Sequence, residues 1–455
     1  MQKKIFEKEA QVAEKILNHG GKLYIIGGAV RDNIALSKHP HEIDFVTNLR
    51  PNELLELFPK AGVFGKTFGV VKVGDIDVAT FRKDVYSANV MHSKGADRIE
   101  FADTLDEDLE RRDFTFNTLA VRVYDSYSVK MFRFMYGDVI DHWNGLNDIY
   151  HHKVRFVGKP EDRILEDPCR MIRGCRFTGL FDDGSFDCVS LEAIKKHAHL
   201  IKMVEPERIR KELLSAMSMP YPRQFILNMH DTGILQYVLK PLEQTYGVAQ
   251  NKYHVDDVFT HCVLSMQAVH PKKPLVRFTA LLHDIGKPIS KSVGKDNEIH
   301  FLGHEVIGSN MVKDLLYKLK FSSEEIEQVS DMVLHHMFFF EEITKDSTYR
   351  RFMSKLKVPV RDMLRLRLAD RRGNRKKQGV TNHFKRVLRK IRHIESEAHA
   401  LKLSDVKLNG KDLIEMGYEP GPLFSTILHD CFDKVLERPW INKKWLLKLY
   451  VRIHY

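Results

Sequence analysis

The chain has 455 residues, 43% of them hydrophobic, with 72 lysines and arginines against 61 acidic residues and a formal charge of +11. That length exceeds one ordinary core and predicts about two to four domains, while the positive balance fits a polyanionic partner, nucleic acid ahead of a membrane surface. No stretch approaches the roughly 18 apolar residues of a membrane span. The opening MQKKIFEKEAQVAEKIL is acidic and helically periodic where a signal peptide would be apolar, and the five cysteines are scattered without a C-x-x-C pair. A protein of a reducing cytoplasm is expected.

In chain order, residues 3–19 have the periodicity of an amphipathic helix, and KLYIIGG reads as a buried strand ending in a turn. GVVKVGDIDVATFR (69–82) alternates as two strands joined at Gly74-Asp75; RDFTFNTLAVRVY continues with β-branched and aromatic residues, and DHWNGLND reads as a loop. Residues 1–150 therefore form an α/β unit. From PEDRILEDPCRMIRGCRF onward the periodicity is helical almost without interruption, with breaks at 241–254 and 371–382.

The stretch LYIIGGAVRDNIALSKHPHEIDFVTN (23–48) sets a glycine turn before an acidic pair. Gly27 and Gly28 let a backbone approach a triphosphate, and the following helix start with Arg31 and Asp32 adds charge there. On a strand, Glu42 and Asp44 project to one face with Ile43 going inward. Two carboxylates so close are tolerable around a divalent cation, and hard oxygen ligands favour magnesium or manganese.

This order of strand, GG, RD helix and E-x-D strand resembles the head of the nucleotidyltransferase superfamily. VATFRKDVY (78–86), DLERRDFTFNTLA (108–120), IDHWNGLND (140–148), RILEDPCRMIRGCRF (163–177) and EPERIRKELL (205–214) follow in the order seen in class II tRNA nucleotidyltransferases, the CCA-adding enzymes, and their bacterial poly(A) polymerase relatives. The resemblance covers nearly the whole chain. It implies an α/β nucleotidyltransferase head, a mixed sheet with helices, over residues 1–150. A mostly helical remainder follows: a neck that recognises the base (151–240), an HD-type metal-binding domain (241–375) and a tRNA-binding tail (376–455). Glu42 and Asp44 become the catalytic metal ligands, with Mg2+ or Mn2+ as cofactor.

The same resemblance makes Asp167 and Arg170 the protein template that admits CTP and ATP, with Glu166 and Arg173 in support. A carboxylate accepts from the exocyclic amine of C or A and a guanidinium donates to the adjacent ring acceptor. Taken alone, Asp167 also reads as a helix N-cap before Pro168, paired with Arg170 one turn on. Arg112, Asp113 and Asn117 would face ribose and phosphates, and Arg82, Asp84 and Tyr86 belong to a loop that serves the switch from C to A. Two departures stand out: the family's D-x-D is Glu42-Ile43-Asp44 here, and Met91, His92 and Ser93 replace its usual arginine-proline run.

FTALLHDIGKP (278–288) places His283 and Asp284 on an apolar helix, with His261 before it and His304, the His335-His336 pair and Asp370 after it. These are good divalent-metal ligands when helices converge, and the series resembles an HD phosphohydrolase domain. The HM context favours His336 over His335. The closing segment, with Gly410, Lys411, Asp412 and Gly421-Pro422, resembles the tail of CCA-adding enzymes. Arg371, Arg372, Arg375, Lys376, Lys377, Lys385, Arg386, Arg389, Lys390 and Arg392 would supply RNA phosphate contacts.

The expected activity is template-independent addition of CCA to tRNA from CTP and ATP. Its rivals are a partial CC- or A-adding enzyme, a poly(A) polymerase, a phosphohydrolase acting on RNA ends or cyclic phosphates, and a noncatalytic RNA-binding protein. No membrane partner is expected, and the oligomeric state is left open.

Overall fold

A computed structural model describes residues 6–40, 42–64, 69–86, 98–132, 136–251, 255–294, 298–375, 379–397 and 400–455. Met91, His92, Ser93, Lys376 and Lys377 lie outside them. Two compact units emerge: Met1–Gln244 with His270–Pro274 and Lys318–Phe321, and Thr245–Val269 with Leu275–Tyr317 and Ser322–Tyr455. Among the described residues, no helix is long and apolar enough to cross a membrane.

The first unit is built on a sheet. Its strands are β1 (Leu23–Ile26), β2 (Phe45–Thr47), β3 (Gly62–Phe64), β4 (Val70–Val73), β5 (Ile76–Thr80), β6 (Arg82–Val85), β7 (Arg98–Phe101), β8 (Ala120–Val123) and β9 (Val139–Ile140). Seven of them pair in the order β3-β4-β5-β2-β1-β8-β9, and β6 and β7 form a separate antiparallel ribbon. The sheet is mixed: β2 runs parallel to β5, whereas β1 is antiparallel to both β2 and β8. All four residues of β1 are buried, as its unbroken apolar run LYII requires of a central strand. Helix α1 (Glu7–Asn18) buries Ala10, Ala13 and Ile16, one stripe at helical spacing, and has Glu7 and Glu9 at its positive end. β4 and β5 form the expected hairpin, with Val73 opposite Ile76 across the Gly74-Asp75 turn.

Two segments differ from the sequence reading. DHWNGLND contains a helix, Gly145–Tyr150, because the Asp141 carboxylate accepts from the Gly145 and Leu146 amides at 2.7 and 2.9 Å and so caps its start. In RDFTFN, residues Thr115–Asn117 form a 3-10 turn instead of extended strand. Phe114 and Phe116 still point inward, where they meet Phe156 (centroids 4.9 Å from Phe114) and Phe177 (5.4 Å from Phe116). The mostly helical stretch after the sheet is also interrupted by short strand pairs, Lys153–Val154 with Ser185–Phe186 and Lys291–Val293 with Ile299–Phe301.

The second unit is almost wholly helical. One core is formed by Val269, Val276, Ala280, Met332, Met363 and Leu366, another by Phe340, Tyr349, Leu364, Val387, Ile391 and Ile394. The closing helices gather around Leu413, Ile427, Cys431, Leu447 and Val451.

Candidate active sites

In the first unit, β1 ends at Gly27, whose φ of 68° and ψ of −124° belong to a region that glycine alone enters freely. This bend starts α2 (Gly28–Leu36) at the edge of a cleft of about 710 Å³. Arg31, in the first turn, is held on three sides. Its Nη1 donates to Asn117 Oδ1 at 2.6 Å, its Nε donates to Asp32 Oδ1 at 2.7 Å, and its guanidinium lies 4.6 Å over the Phe177 ring. Burial draws its pKa down against the pull of Asp32.

Glu42 and Asp44 are exposed and Ile43 is 3% exposed, so the two carboxylates share a side just before β2 begins. The parallel register of Phe45 with Val78 puts Asp44 beside Asp77 of β5. Desolvation in the concave wall, then Asp77, then Glu42 raise the Asp44 carboxyl above its ordinary range, while Arg112 opposes them. This is a local surplus of negative charge, the setting a divalent cation relieves. Among the described residues, these three carboxylates do not close into a set within 4.8 Å. The fit is to magnesium held by one or two carboxylates together with substrate phosphates, the usual habit of that ion.

The cleft is lined by Gly27, Gly28, Arg31, Asp44, Asp77, Arg82, Tyr86, Arg112, Asp113, Asn117, Asp167, Arg170, Arg173 and Arg208, among others; Asp32 and Glu42 stand outside that lining. Asp113 is clamped by the Asn117 amide at 2.8 Å and by Arg173 at 2.6 Å. Against its burial, these hold its carboxyl below the usual range. Asp108, fully buried, accepts from Arg111 at 2.7 Å and Arg112 at 3.0 Å, and from the Arg82 amide at 3.2 Å. One hidden carboxylate thus ties together three arginines of the cleft wall.

Arg170 and Asp167 do not pair through their side chains. Arg170, on the helix Cys169–Thr178, turns to Glu166 at the end of the preceding helix Pro160–Glu166 at 2.5 Å and to the Tyr86 hydroxyl at 3.4 Å. Asp167 Oδ1 accepts from the Cys169 amide at 3.1 Å and its Oδ2 from Arg208 at 2.6 Å. Asp77 and Arg208 were not singled out in the sequence, although signals for both exist. Asp77 is the outward residue between buried Ile76 and Val78, and Arg208 lies in the EPERIRKELL motif.

The second unit brings six predicted residues together. His261 comes from the helix Val258–Gln267 and Asp370 from Val360–Gly373; His283 and Asp284 follow Pro274–Leu282; His304 opens His304–Lys318, and His336 ends Ser323–His335. Gly286, two residues after Asp284, permits the close approach: a Cβ there would lie 2.2 Å from His304 O. His261, His283, Asp284 and His336 are each at most 2% exposed. His335 points elsewhere, to Asp331 at 3.1 Å. Burial alone would raise Asp284 and Asp370, but the surrounding imidazoles, with Lys287 and Arg367 respectively, hold both low. Beside them lies a cavity of about 420 Å³ walled by Lys287, Phe301, Phe339, Arg371 and His383.

Of the described basic run, Arg375, Arg386 and Lys390 pair with Asp256, Glu342 and Asp346. Lys385, Arg389 and Arg392 stand exposed at positions that share one face of the helix Asn382–Ser396.

Comparison with known proteins gives three family matches in order: the poly A polymerase head domain over residues 23–155, the probable RNA and SrmB-binding site of polymerase A over 186–245, and the HD domain over 253–406. A CCA-adding enzyme of Lactobacillus helveticus (strain DPC 4571) is 33% identical over 51% of this chain and 55% of its own, so the chain spans about half the length of that relative. A CCA-adding enzyme of Streptococcus agalactiae serotype V (strain ATCC BAA-611 / 2603 V/R) is 27% identical over 98% of this chain and 96% of its own. The crystal structure of the Bacillus stearothermophilus CCA-adding enzyme in complex with CTP shares the fold, with a TM-score of 0.65 and 20% identity over 98% of each chain. A mixed-sheet poly A polymerase head, the probable RNA and SrmB-binding segment and an HD domain thus follow one another along the chain, and similarity to CCA-adding enzymes extends over nearly all of it.

Proposed function

We propose that the chain adds and repairs the 3′-terminal CCA of tRNA without a nucleic-acid template, using CTP and ATP and releasing pyrophosphate. The observation that carries this reading is one cleft whose wall holds both the Asp44 and Asp77 carboxylates and the Asp167, Arg170 and Arg208 group. The first chemistry suits phosphoryl transfer and the second suits a base.

In this reading Asp44, with Glu42 two residues before it, holds Mg2+ or Mn2+. When bound, that ion neutralises the developing charge on the α-phosphate and the leaving pyrophosphate. Gly27, Gly28 and the start of α2 receive the triphosphate, with Arg31, Asp32 and Arg82 setting the potential there. Arg112, Asp113 and Asn117 form the ribose and phosphate side. Asp167 accepts from the exocyclic amine of cytosine or adenine, while Arg170, steadied by Glu166, donates to the ring nitrogen; G and U present the reverse pattern. Arg173 acts through Asp113. Residues 1–150 are the catalytic head, 151–240 the base-reading neck, 241–375 the HD-type domain and 376–455 the tail that carries tRNA. Lys385, Arg389 and Arg392 offer one exposed stripe for phosphates. The proposed place of action is the cytoplasm.

The six-residue group of the second unit supports an additional reading: His261, His283, Asp284, His304, His336 and Asp370 hold a divalent metal for phosphoester hydrolysis. The imidazole and carboxylate donor set fits such an ion.

The test is magnesium-dependent extension of tRNA transcripts ending before CCA, after C and after CC, each with CTP, ATP or both, resolved to single nucleotides. Termination at CCA is expected. Termination at CC, a single A, or long A tails would replace the reading with a partial enzyme or a poly(A) polymerase. No extension with either metal would sink it.

A further inference from the structure

The helix Lys444–His454 is apolar on two sides. Leu447 and Val451, one turn apart, are fully buried in one cluster with Ile427, Cys431 and Val435. Trp445, Leu449 and Ile453 recur at the same four-residue spacing on the opposite side, where they are 64%, 49% and 68% exposed. They form a ridge about 12 Å long at 1.5 Å per residue. Trp440, in the 3-10 turn Pro439–Ile441 that leads into the helix, is exposed as well. A helix that is apolar all round is normally covered all round, so a bare ridge of this kind marks a docking face.

The charge around the ridge is one-sided. Residues 438–455 contain Arg438, Lys443, Lys444, Lys448 and Arg452 and no acidic side chain. Lys444 and Lys448 turn to Asp412 and Glu415 at 2.6 and 2.9 Å, while Arg438, Lys443 and Arg452 are exposed. Two copies meeting through this face would set cations against cations, so its partner is anionic. That partner also has to take aliphatic side chains. RNA leaves them unused, because Leu449 and Ile453 offer no hydrogen bond to a phosphate and no ring to stack on a base. The helix Asn382–Ser396 shows the contrast: beside its stripe of Lys385, Arg389 and Arg392, no large apolar side chain is exposed among the described residues.

We propose that the ridge of Trp445, Leu449 and Ile453 docks the chain peripherally on an anionic lipid surface. Aliphatic side chains and tryptophan enter the boundary between headgroups and acyl chains, and the arginines and lysine beside them meet the lipid phosphates. Each such cation near an anionic leaflet strengthens binding about fivefold. A ridge of three side chains gives reversible attachment rather than an anchor, consistent with the finding that no helix among the described residues could cross a membrane. For this face a membrane surface comes ahead of nucleic acid, the reverse of the ranking that the overall charge of the chain suggests.

The test is co-sedimentation of the full chain with vesicles of phosphatidylglycerol and phosphatidylcholine, against vesicles of phosphatidylcholine alone, with tryptophan emission recorded alongside. Binding to the anionic vesicles with a blue shift, both lost at high salt, is expected. Trp445→Ala combined with Ile453→Ala should lower the partition coefficient about tenfold or more, and Arg452→Gln about fivefold. Melting curves are the control for folding, and Arg452→Gln decides if the double variant does not fold. Equal binding to neutral vesicles, or binding that the folded variants retain in full, would overturn the proposal. So would no sedimentation with either vesicle. Emission that shifts only when tRNA is added would give the face to RNA instead, and a dimer in sedimentation velocity that the double variant abolishes would give it to a second copy of the chain.

Discussion

On the proposed activity, replacing Arg208 by alanine should weaken the choice of base without unfolding the chain. Arg208 Nη2 donates to Asp167 Oδ2 at 2.6 Å, and the two side chains are 29% and 14% exposed, so the pair is largely withdrawn from water. A hydrogen bond to a charged group contributes about 1.5–3 kcal/mol, which converts to roughly 10- to 150-fold in kcat/KM. The Cys169 amide still holds Asp167 Oδ1 at 3.1 Å, so the loss should fall near the lower limit. Single-turnover extension of tRNA lacking CCA would measure kcat/KM for CTP, ATP and UTP. The first two should fall about tenfold while UTP changes little, narrowing discrimination. Arg208→Lys, which keeps the charge but not the planar fork, should recover part of it. Unchanged discrimination would refute the reasoning. So would an equal fall for all three nucleotides that tracks a lowered melting temperature, since that marks a structural role only.

Asp44→Asn keeps shape and removes charge, and should cost on the order of a thousandfold in single-turnover incorporation with nucleotide binding largely preserved; retention of most activity would remove Asp44 from the machinery. Asp108→Asn should destabilise the head by about 3 kcal/mol, the lower end for a broken buried pair, because it takes the fully buried shared carboxylate from half-buried Arg111 and Arg112 while Arg111 keeps Asp84. Against its burial, those arginines hold the Asp108 pKa below its ordinary value. Its contribution is therefore full above the unfolded pKa of about 3.9 and lost as pH falls through the lower folded value. In urea melts the gap between wild type and Asp108→Asn should be full at about pH 7 and shrink below about pH 4; a constant gap would contradict this. Gly27→Ala should cost about 1–3 kcal/mol through backbone strain at φ 68°. The new Cβ would meet only Arg112 Nη1, at an ordinary 3.6 Å, so an unchanged melting temperature would show that the bend relaxes freely.

Alternation and apolar runs made the head legible: LYII as a buried strand follows from its unbroken apolar run, and the hairpin across Gly74-Asp75 from burial on a two-residue period. The Gly145–Tyr150 helix was hidden because its start depends on Asp141 reaching forward to two amides, a contact that composition does not report. The six ligands of the second unit were visible as residue types, and His336 could be separated from His335 only by local context. What chain order could not give is how they converge, since Asp284 faces partners 23 residues before it and 52 after it through different oxygens. Asp167 shows the same limit. Its neighbour in sequence, Arg170, turns across the break between two helices to Glu166, and its partner in space is Arg208, 41 residues away.

The glutamate at position 42 becomes intelligible in this light. The family's D-x-D sets two carboxylates on one strand, and a longer side chain at the first position should disturb a metal that depends on both. Here Asp44 lies beside Asp77 across the parallel β2 and β5 register, both line the cleft, and Asp77 acts on Asp44 more strongly than Glu42 does. We therefore propose that the negative field at the cleft is shared between strands, with Glu42 contributing from outside the lining, where one extra methylene matters less. Glu42→Asp should then leave magnesium-dependent incorporation near that of wild type, whereas Asp77→Asn should lower it by an order of magnitude or more. If Glu42→Asp instead raised activity sharply and Asp77→Asn left it unchanged, the burden would rest on residues 42 and 44 alone, and the glutamate would be a handicap at the metal rather than a change the neighbouring strand absorbs.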